Sequence, residues 1–279
     1  MRIDVKKTYK LFIGGQFPRS ESGRSYELLD SKGNFLANPA LASRKDLRDA
    51  VVAARNVADK WASATAFNRS QILYRVAEMM EGRKEQFVAE IVAQEGVSKA
   101  QALKQVNDAI DLWVWYAGWC DKIPSIYGGT NPVSGSFYNF TSPESLGVVA
   151  SFISDRDSLT SIVHGIAPIV AGGNVVIAIA HKDFPLSAIT LAEVIATSDV
   201  PGGVVNILTG KAAEIAPWVG SHMDIDGVDG SGLDSSTYDA VRKDGADNLK
   251  RIYRFEETKS PQRILSYMEN KTVWHPIGI

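Results

Sequence analysis

One cysteine, four histidines and an aspartate-rich loop are the residues of this chain best suited to chemistry. Cys120 closes the run Asp111-Leu-Trp-Val-Trp-Tyr-Ala-Gly-Trp-Cys120. A nucleophilic thiolate needs an electropositive, partly exposed setting. Only Lys122 is basic nearby, among Trp113, Trp115, Tyr116 and Trp119, so Cys120 reads as structural. At their spacing the aromatic rings surround a helix, which favours burial over a ligand platform. Asp224, Asp226, Asp229 and Asp234 alternate with Gly227, Gly230 and Gly232 in a superficial likeness to a calcium loop. The pattern fails. From Asp224, Val228 falls on a ligand position and Asp229 where glycine is required; from Asp226, Val228 again falls on a ligand position. A solvated loop leading into a helix is expected there, and no metal. His164, His181, His222 and His275 share no metal-ligand spacing. His164 is expected to be packed or pocket-lining. His181, beside Lys182 at a strand end, is placed where a ligand could sit. Asp155, Arg156 and Asp157 form a polar cluster at another strand end, able to bind or activate a small molecule.

Composition excludes several classes. With 30 basic and 32 acidic residues in 279, the net charge is −2, which suits neither a nucleic-acid surface nor a polybasic membrane anchor. A single cysteine rules out an internal disulfide and fits a reducing, cytoplasmic compartment. The opening Met1-Arg-Ile-Asp-Val-Lys-Lys-Thr carries no apolar core of a secretory signal. The longest apolar stretch, 162–180, is broken by His164, Pro168, Gly172, Gly173 and Asn174, so no membrane span is expected.

The elements that must position these residues follow from periodicity. Lys10-Leu-Phe-Ile-Gly-Gly-Gln-Phe-Pro reads as a strand and turn. Ser43-Arg-Lys-Asp46 reads as a capping box opening a helix with Leu47, Val51, Ala54, Ala58 and Trp61 on one face. Further helices are marked by Ile72 to Met80, by Phe87 to Val92, and from about Ser98 to Trp119. Glycine and proline between short β-prone pieces over 124–144 predict a hairpin. From Leu146 apolar strands (146–153, 174–180, 204–208) alternate with helices to about 170, over 185–197 and over 211–219. Such alternation predicts an α/β fold: a doubly wound, Rossmann-like parallel sheet with N-terminal helices and a protruding β element, its ligands at the C-terminal strand ends. Residues 250–255, 260–265 and 271–274 are expected to form a strand, a helical turn and a final strand.

Several segments, in order, resemble the aldehyde dehydrogenases: Leu11-Phe-Ile-Gly-Gly-Gln-Phe, Pro143-Glu-Ser-Leu-Gly-Val-Val149, Ile166-Ala-Pro-Ile-Val-Ala-Gly-Gly-Asn-Val-Val176, Pro185-Leu-Ser-Ala188 and Val200-Pro-Gly-Gly-Val-Val-Asn-Ile-Leu-Thr-Gly210. The departures are more informative. The family's Pro-Trp-Asn motif, whose asparagine stabilises an oxyanion, is Ser154, Asp155 and Arg156 here. Its Lys-Pro-Ser-Glu run, which contacts the adenosine ribose, becomes Ile179-Ala180-His181-Lys182, losing a donor and reversing a charge. Its Phe-Thr-Gly-Ser, at the helix facing the cofactor pyrophosphate, becomes Val228-Asp229-Gly230-Ser231, which sets a carboxylate where phosphate would bind. Beyond Gly232 neither the general-base glutamate nor the domain bearing the catalytic cysteine is visible. Ser266-Tyr-Met-Glu-Asn-Lys-Thr-Val-Trp274 then resembles the family's C-terminal oligomerisation strand.

The chain thereby resembles the truncated, cysteine-less second module of two-module aldehyde dehydrogenases. It implies a cofactor-domain scaffold over 1–123 and 145–259 and an oligomerisation hairpin and strand over 124–144 and 260–279. No catalytic residue is expected. Gly210, Gly230, Ser231 and Lys182 remain as vestiges of a cofactor site, and no cofactor, or at most weak NAD(P) binding, is expected. Tyr138, Phe140, Lys271, Val273 and Trp274 would form an interface with an identical copy or a full-length aldehyde dehydrogenase, because unpaired strand edges recruit other chains. The alternatives are a nucleotide sensor using the degenerate cleft, and an oxidoreductase active only within a complex or with other chemistry at Asp155, Arg156 and Asp157.

Overall fold

A computed structural model describes Ile3 and residues 5–278. After a short antiparallel pair, β1 (Leu28–Leu29) and β2 (Phe35–Ala37), come four helices: α1 (Arg44–Ala62), α2 (Ala66–Glu81), α3 (Lys84–Glu95) and α4 (Lys99–Ala117). A short α5 (Lys122–Tyr127) leads to β3 (Gly129–Thr130) and β4 (Phe137–Ser145). Then follow β5 (Val148–Phe152), α6 (Ser158–Ala171), β6 (Val175–Ile179), α7 (Leu186–Ile195), β7 (Val205–Leu208), α8 (Ala212–Ser221), β8 (Gly227–Asp229), α9 (Ser235–Asp244), β9 (Arg251–Tyr253), α10 (Gln262–Leu265) and β10 (Met268–Pro276).

Local chemistry accounts for the boundaries. Ser43 accepts the Asp46 amide while the Asp46 carboxylate accepts the Ser43 amide, a complete capping box. Ser98 and Gln101 form a second at α4. Gly96 ends α3 in the left-handed conformation, where a side chain would also strike Ser31.

The main sheet has five parallel strands in the order β7-β6-β5-β8-β9. Every residue of β5, β6, β7 and β8 is buried, which explains the nearly unbroken apolar runs of the first three. Right-handed crossovers put α6 and α7 on one face and α8 and α9 on the other, because the chain reverses direction across the sheet after β7. The reversal opens a topological switch point at the C-terminal ends of β5 and β8. Helix α1 lies over β5, β6 and β7, and Trp61 donates its indole N–H to the Val170 carbonyl at 3.0 Å.

A separate antiparallel sheet, order β10-β4-β3, stands off this body. Strands β10 and β4 pair along their full nine-residue length, Met268 opposite Ser145 through Pro276 opposite Phe137. Between β9 and β10 there are only the residues 254–267, room for α10 and a coil and for no further domain.

Three expectations are corrected. Residues 10–18 form no strand; Phe12 makes an isolated bridge to Ile207 and Ile13 one to Gln16. Residues 124–127 are helical, so the hairpin starts at Gly129. The aspartate-rich loop is only in part an approach to a helix: Gly227–Asp229 is a buried strand of the sheet, and residues 230–234 then lead into α9, which the exposed Asp234 caps.

Candidate functional site

At the switch point two segments leave adjacent parallel strands, 153–157 after β5 and 230–234 after β8. They lie against each other. The Gly232 amide donates to the Phe152 carbonyl at 2.9 Å, and a Cβ at Gly232 would overlap the Ile153 carbonyl. The Gly230 amide donates to Tyr253 O at 2.8 Å, and a Cβ there would strike the Tyr238 ring. Gly232 is required by close backbone approach and Gly230 by the Tyr238 ring packed over it, and their amides are spent within the protein.

Side chains fill what space remains. Asp229, the last residue of β8, is 2% exposed and pairs at 2.9 Å with Arg263 of α10, itself 4% exposed. Its other oxygen accepts the Ser231 amide at 3.0 Å and the Ser231 hydroxyl at 2.5 Å. The Ser231 hydroxyl in turn accepts the Phe255 amide. Glu257, on the coil after β9, reaches back across the cleft: its Oε1 accepts from Ser154 Oγ at 2.5 Å and Ser161 Oγ at 2.6 Å. His164 lies beneath, 4% exposed with Nδ1 unpartnered. Burial, then the charges of Arg263 and Lys259, lower its pKa to about 4, so the ring is neutral at neutral pH. The cavity left among these groups is about 10 Å³, room for about one water.

Helix N-termini along this edge, the natural anion sites of such sheets, are largely occupied from within. At α6, the Ser158 amide donates to Glu95 at 3.2 Å and the Leu159 amide to Gln105 at 2.9 Å. At α7, the Leu186 amide donates to Gln94 at 3.0 Å, and Gln94 in turn donates to Ser158 and Ser187. At α9, Asp234 accepts the Thr237 amide at 2.9 Å. These hydrogen bonds from hydroxyls and an amide hold its carboxyl well below the usual range. Only α8 lacks a side-chain cap of this kind.

The structure thus gathers Ser154, Asp229, Gly230 and Ser231 at the switch point and sends the other expected site residues elsewhere. Asp155 and Arg156 are exposed on the loop before α6, with Asp157 in a left-handed conformation at φ 35°. Ile179 is 1% exposed at the end of β6. Lys182 is exposed and pairs with Asp183 at 3.0 Å. Lys182 and Gly210 both line an open groove of about 590 Å³ beside α8, where Glu27, Asp30, Glu95 and Asp183 oppose any phosphate. His181 stacks on Phe184 and accepts the Asp183 amide. Cys120 is 1% exposed, and burial pushes its thiol up to about 12, the setting of an inert cysteine. No group of three or more metal-ligating side chains occurs among the described residues. Glu257, Arg263, Gln94, Glu95 and Gln105 were not legible as site residues, because each acts through tertiary placement.

The outlying sheet holds all five expected interface residues. Alternation along the paired strands puts Tyr138, Phe140, Lys271 and Val273 on one face, Val273 directly opposite Phe140. Trp274 points to the other face, where its ring packs edge-on against Phe137. Tyr138, Val273 and Trp274 are 48%, 43% and 58% exposed. The outer edge of β10 pairs with nothing among the described residues.

A doubly wound nucleotide-type domain with a β arm is the class that this topology defines. The chain belongs to the aldehyde dehydrogenase family, whose sequence profile matches residues 19–272. Cytosolic 10-formyltetrahydrofolate dehydrogenase of Mus musculus is 28% identical over 98% of this chain and 31% of its own length. The mitochondrial enzyme of that name from Homo sapiens is 28% identical over 96% of this chain and 30% of its own length. The aldehyde dehydrogenase from Bacillus cereus, solved with NAD+, superposes with a TM-score of 0.83 at 26% identity, covering 89% of this chain and 50% of that one. The chain therefore spans about a third of the length of these curated relatives and half of that solved structure.

Proposed function

We propose that this chain is a non-catalytic member of the family that works by assembly, its β arm joining a second copy or a full-length aldehyde dehydrogenase. One observation carries the reading. A nine-residue edge strand is held out from the body with aromatic and aliphatic side chains exposed on both faces, while the cleft at the switch point is filled by the chain's own side chains. Long exposed edges of this kind are blunted or paired in stable proteins. The short connection 254–267 leaves no domain to cover either the arm or the cleft from within this part of the chain.

Sedimentation equilibrium tests the assembly. The wild type is expected above the mass of one chain at micromolar concentration, alone or mixed with a full-length aldehyde dehydrogenase of its host. The pair Tyr138→Asp and Val273→Asp is expected to return it to the monomer, with circular dichroism unchanged. A wild type that stays monomeric in both settings would sink the reading.

The same reading excludes tight NAD(P) binding. The amides of Gly230 and Ser231 are spent internally, Asp229 is committed to Arg263, and Ile179 offers no donor to a ribose. Millimolar NAD is expected to move the melting temperature by less than about 1 °C, since stabilisation by a ligand scales with its saturation. A saturable rise at micromolar NAD would instead favour a nucleotide sensor.

A further inference from the structure

We propose that the niche between Ser154 and Ser161 is a binding site for a small monocarboxylate, which the chain's own Glu257 holds closed. Glu257 behaves as a tethered ligand. Its Oε1 lies 2.5 Å from Ser154 Oγ, on the loop after β5, and 2.6 Å from Ser161 Oγ, on the first turns of α6, whose single hydroxyl hydrogen the Arg156 carbonyl also competes for. The tether is slight. Residues 254–260 are coil, and Glu256 is exposed while Glu257 is only half-buried. The base of this strap is anchored by Arg254 on the Leu233 and Gly230 carbonyls, the Phe255 amide on Ser231 and the Arg263 guanidinium over the Phe255 ring; beyond that, among the described residues, only the Arg263 contact to the Glu256 carbonyl at 3.2 Å and Glu257 itself hold it down.

The niche also holds more polar capacity than Glu257 uses. Ser151 Oγ, His164 Nδ1 and Arg263 Nε line the same cavity, are buried, and have no hydrogen-bond partner among the described residues. Ser151 is 0% exposed and His164 4%. Buried polar groups left unsatisfied are costly and rare in native structures. Both serine contacts fall on one carboxylate oxygen, so the tethered group stops short of the deeper donors. An untethered formate or acetate takes the place of the displaced carboxylate and can shift toward them by the little space the cavity leaves. There it would keep the serine hydroxyls and gain the deeper donors, with the neutral imidazole offering a donor or an acceptor according to its tautomer. The adjacent Asp229 disfavours a second negative charge, but Arg263 already neutralises it at 2.9 Å. The cavity itself is about 10 Å³, so only an anion that takes the space of the displaced carboxylate fits. That restricts the class to the smallest carboxylates. This inference is independent of assembly through the β arm.

The experiment is chemical rescue of Glu257→Ala. Its melting temperature is expected to rise saturably with sodium formate or acetate, by about 4 °C at a hundredfold excess over the dissociation constant. Sodium chloride at equal ionic strength should do nothing, and the wild type should need at least about tenfold more formate, because its own carboxylate competes. Ser161→Ala placed in the Glu257→Ala background should abolish the response. Glu257→Ser also vacates the niche while keeping a short polar side chain on the strap, and serves if the alanine variant fails to fold. Line broadening of ¹³C-formate should then rank the serine variant above the wild type. Equal responses to formate and chloride, or equal formate affinity in variant and wild type, would overturn the proposal.

Discussion

Arg263→Met is expected to destabilise the protein by about 4 kcal/mol, because it leaves Asp229 charged, buried and unpaired. Asp229 and Arg263 are 2% and 4% exposed and meet at 2.9 Å, joining the central sheet to the segment that crosses its C-terminal edge. The intact pair is not itself a large source of stability, since desolvating two charges offsets much of their attraction. The asymmetry lies in removing one partner. Asp229 would keep the Ser231 amide and hydroxyl but lose the one cation within hydrogen-bond reach among the described residues. For a chain of this size the loss corresponds to a fall of roughly 7 °C in melting temperature. Thermal and urea unfolding of Arg263→Met, Asp229→Asn and the double variant form the test. The double variant should recover a large part of the loss. A single-variant cost below about 1 kcal/mol would mean that water reaches Asp229, as only an exposed pair is worth so little.

Gly232→Ala should cost about 3 kcal/mol, at the upper end for overpacking. The obstacle is backbone rather than a side chain able to rotate away. The added methyl meets the carbonyls of Ile153 and Phe152 and the carbonyl carbon of Ile153. Relief would require the strands β5 and β8 to separate at the switch point, breaking the Gly232 amide bond to Phe152. Urea titration reads the effect, and Gly129→Ala, at an open position in the β arm, is the control. Equal stability of the two variants would show that the switch point is looser than its hydrogen bonds imply.

Much of the scaffold was legible because its signals are local. Leu47 to Trp61 recur at helical spacing after a capping box, and the buried strands 148–152, 175–179 and 205–208 are apolar runs between helices. Strand β8 was not, since three residues, Gly227–Asp229, between aspartates and glycines carry no period to detect. Leu11-Phe-Ile read as a strand because it is β-prone, yet only Phe12 finds a partner, Ile207, at the edge of the sheet. The changed residues at the cleft were visible one by one, as Ser154, Ile179, Lys182 and Asp229. How the cleft is filled was not. Asp229 was expected to oppose phosphate, whereas it turns inward to a cation 34 positions later. Gln94, Glu95 and Gln105 sit on helices α3 and α4 and look like ordinary polar positions, and only tertiary packing brings them to the first turns of α6 and α7.

The pairing of β4 with β10 sets a delay on biosynthesis. Thr141 bonds to Thr272, 131 positions later, near the end of the described chain. At about 5–20 residues per second a ribosome needs roughly ten seconds to make that span. Until then Phe137, Tyr138 and Phe140 emerge on a strand with one long edge open, while the five-stranded sheet assembles beside it strand by strand and gains its last, β9, only shortly before β10 is made. A nascent chain in that interval presents a sticky, partner-seeking hairpin tethered to a nearly complete domain, so holdase chaperones and neighbouring nascent copies on the same message compete for it before its own last strand arrives.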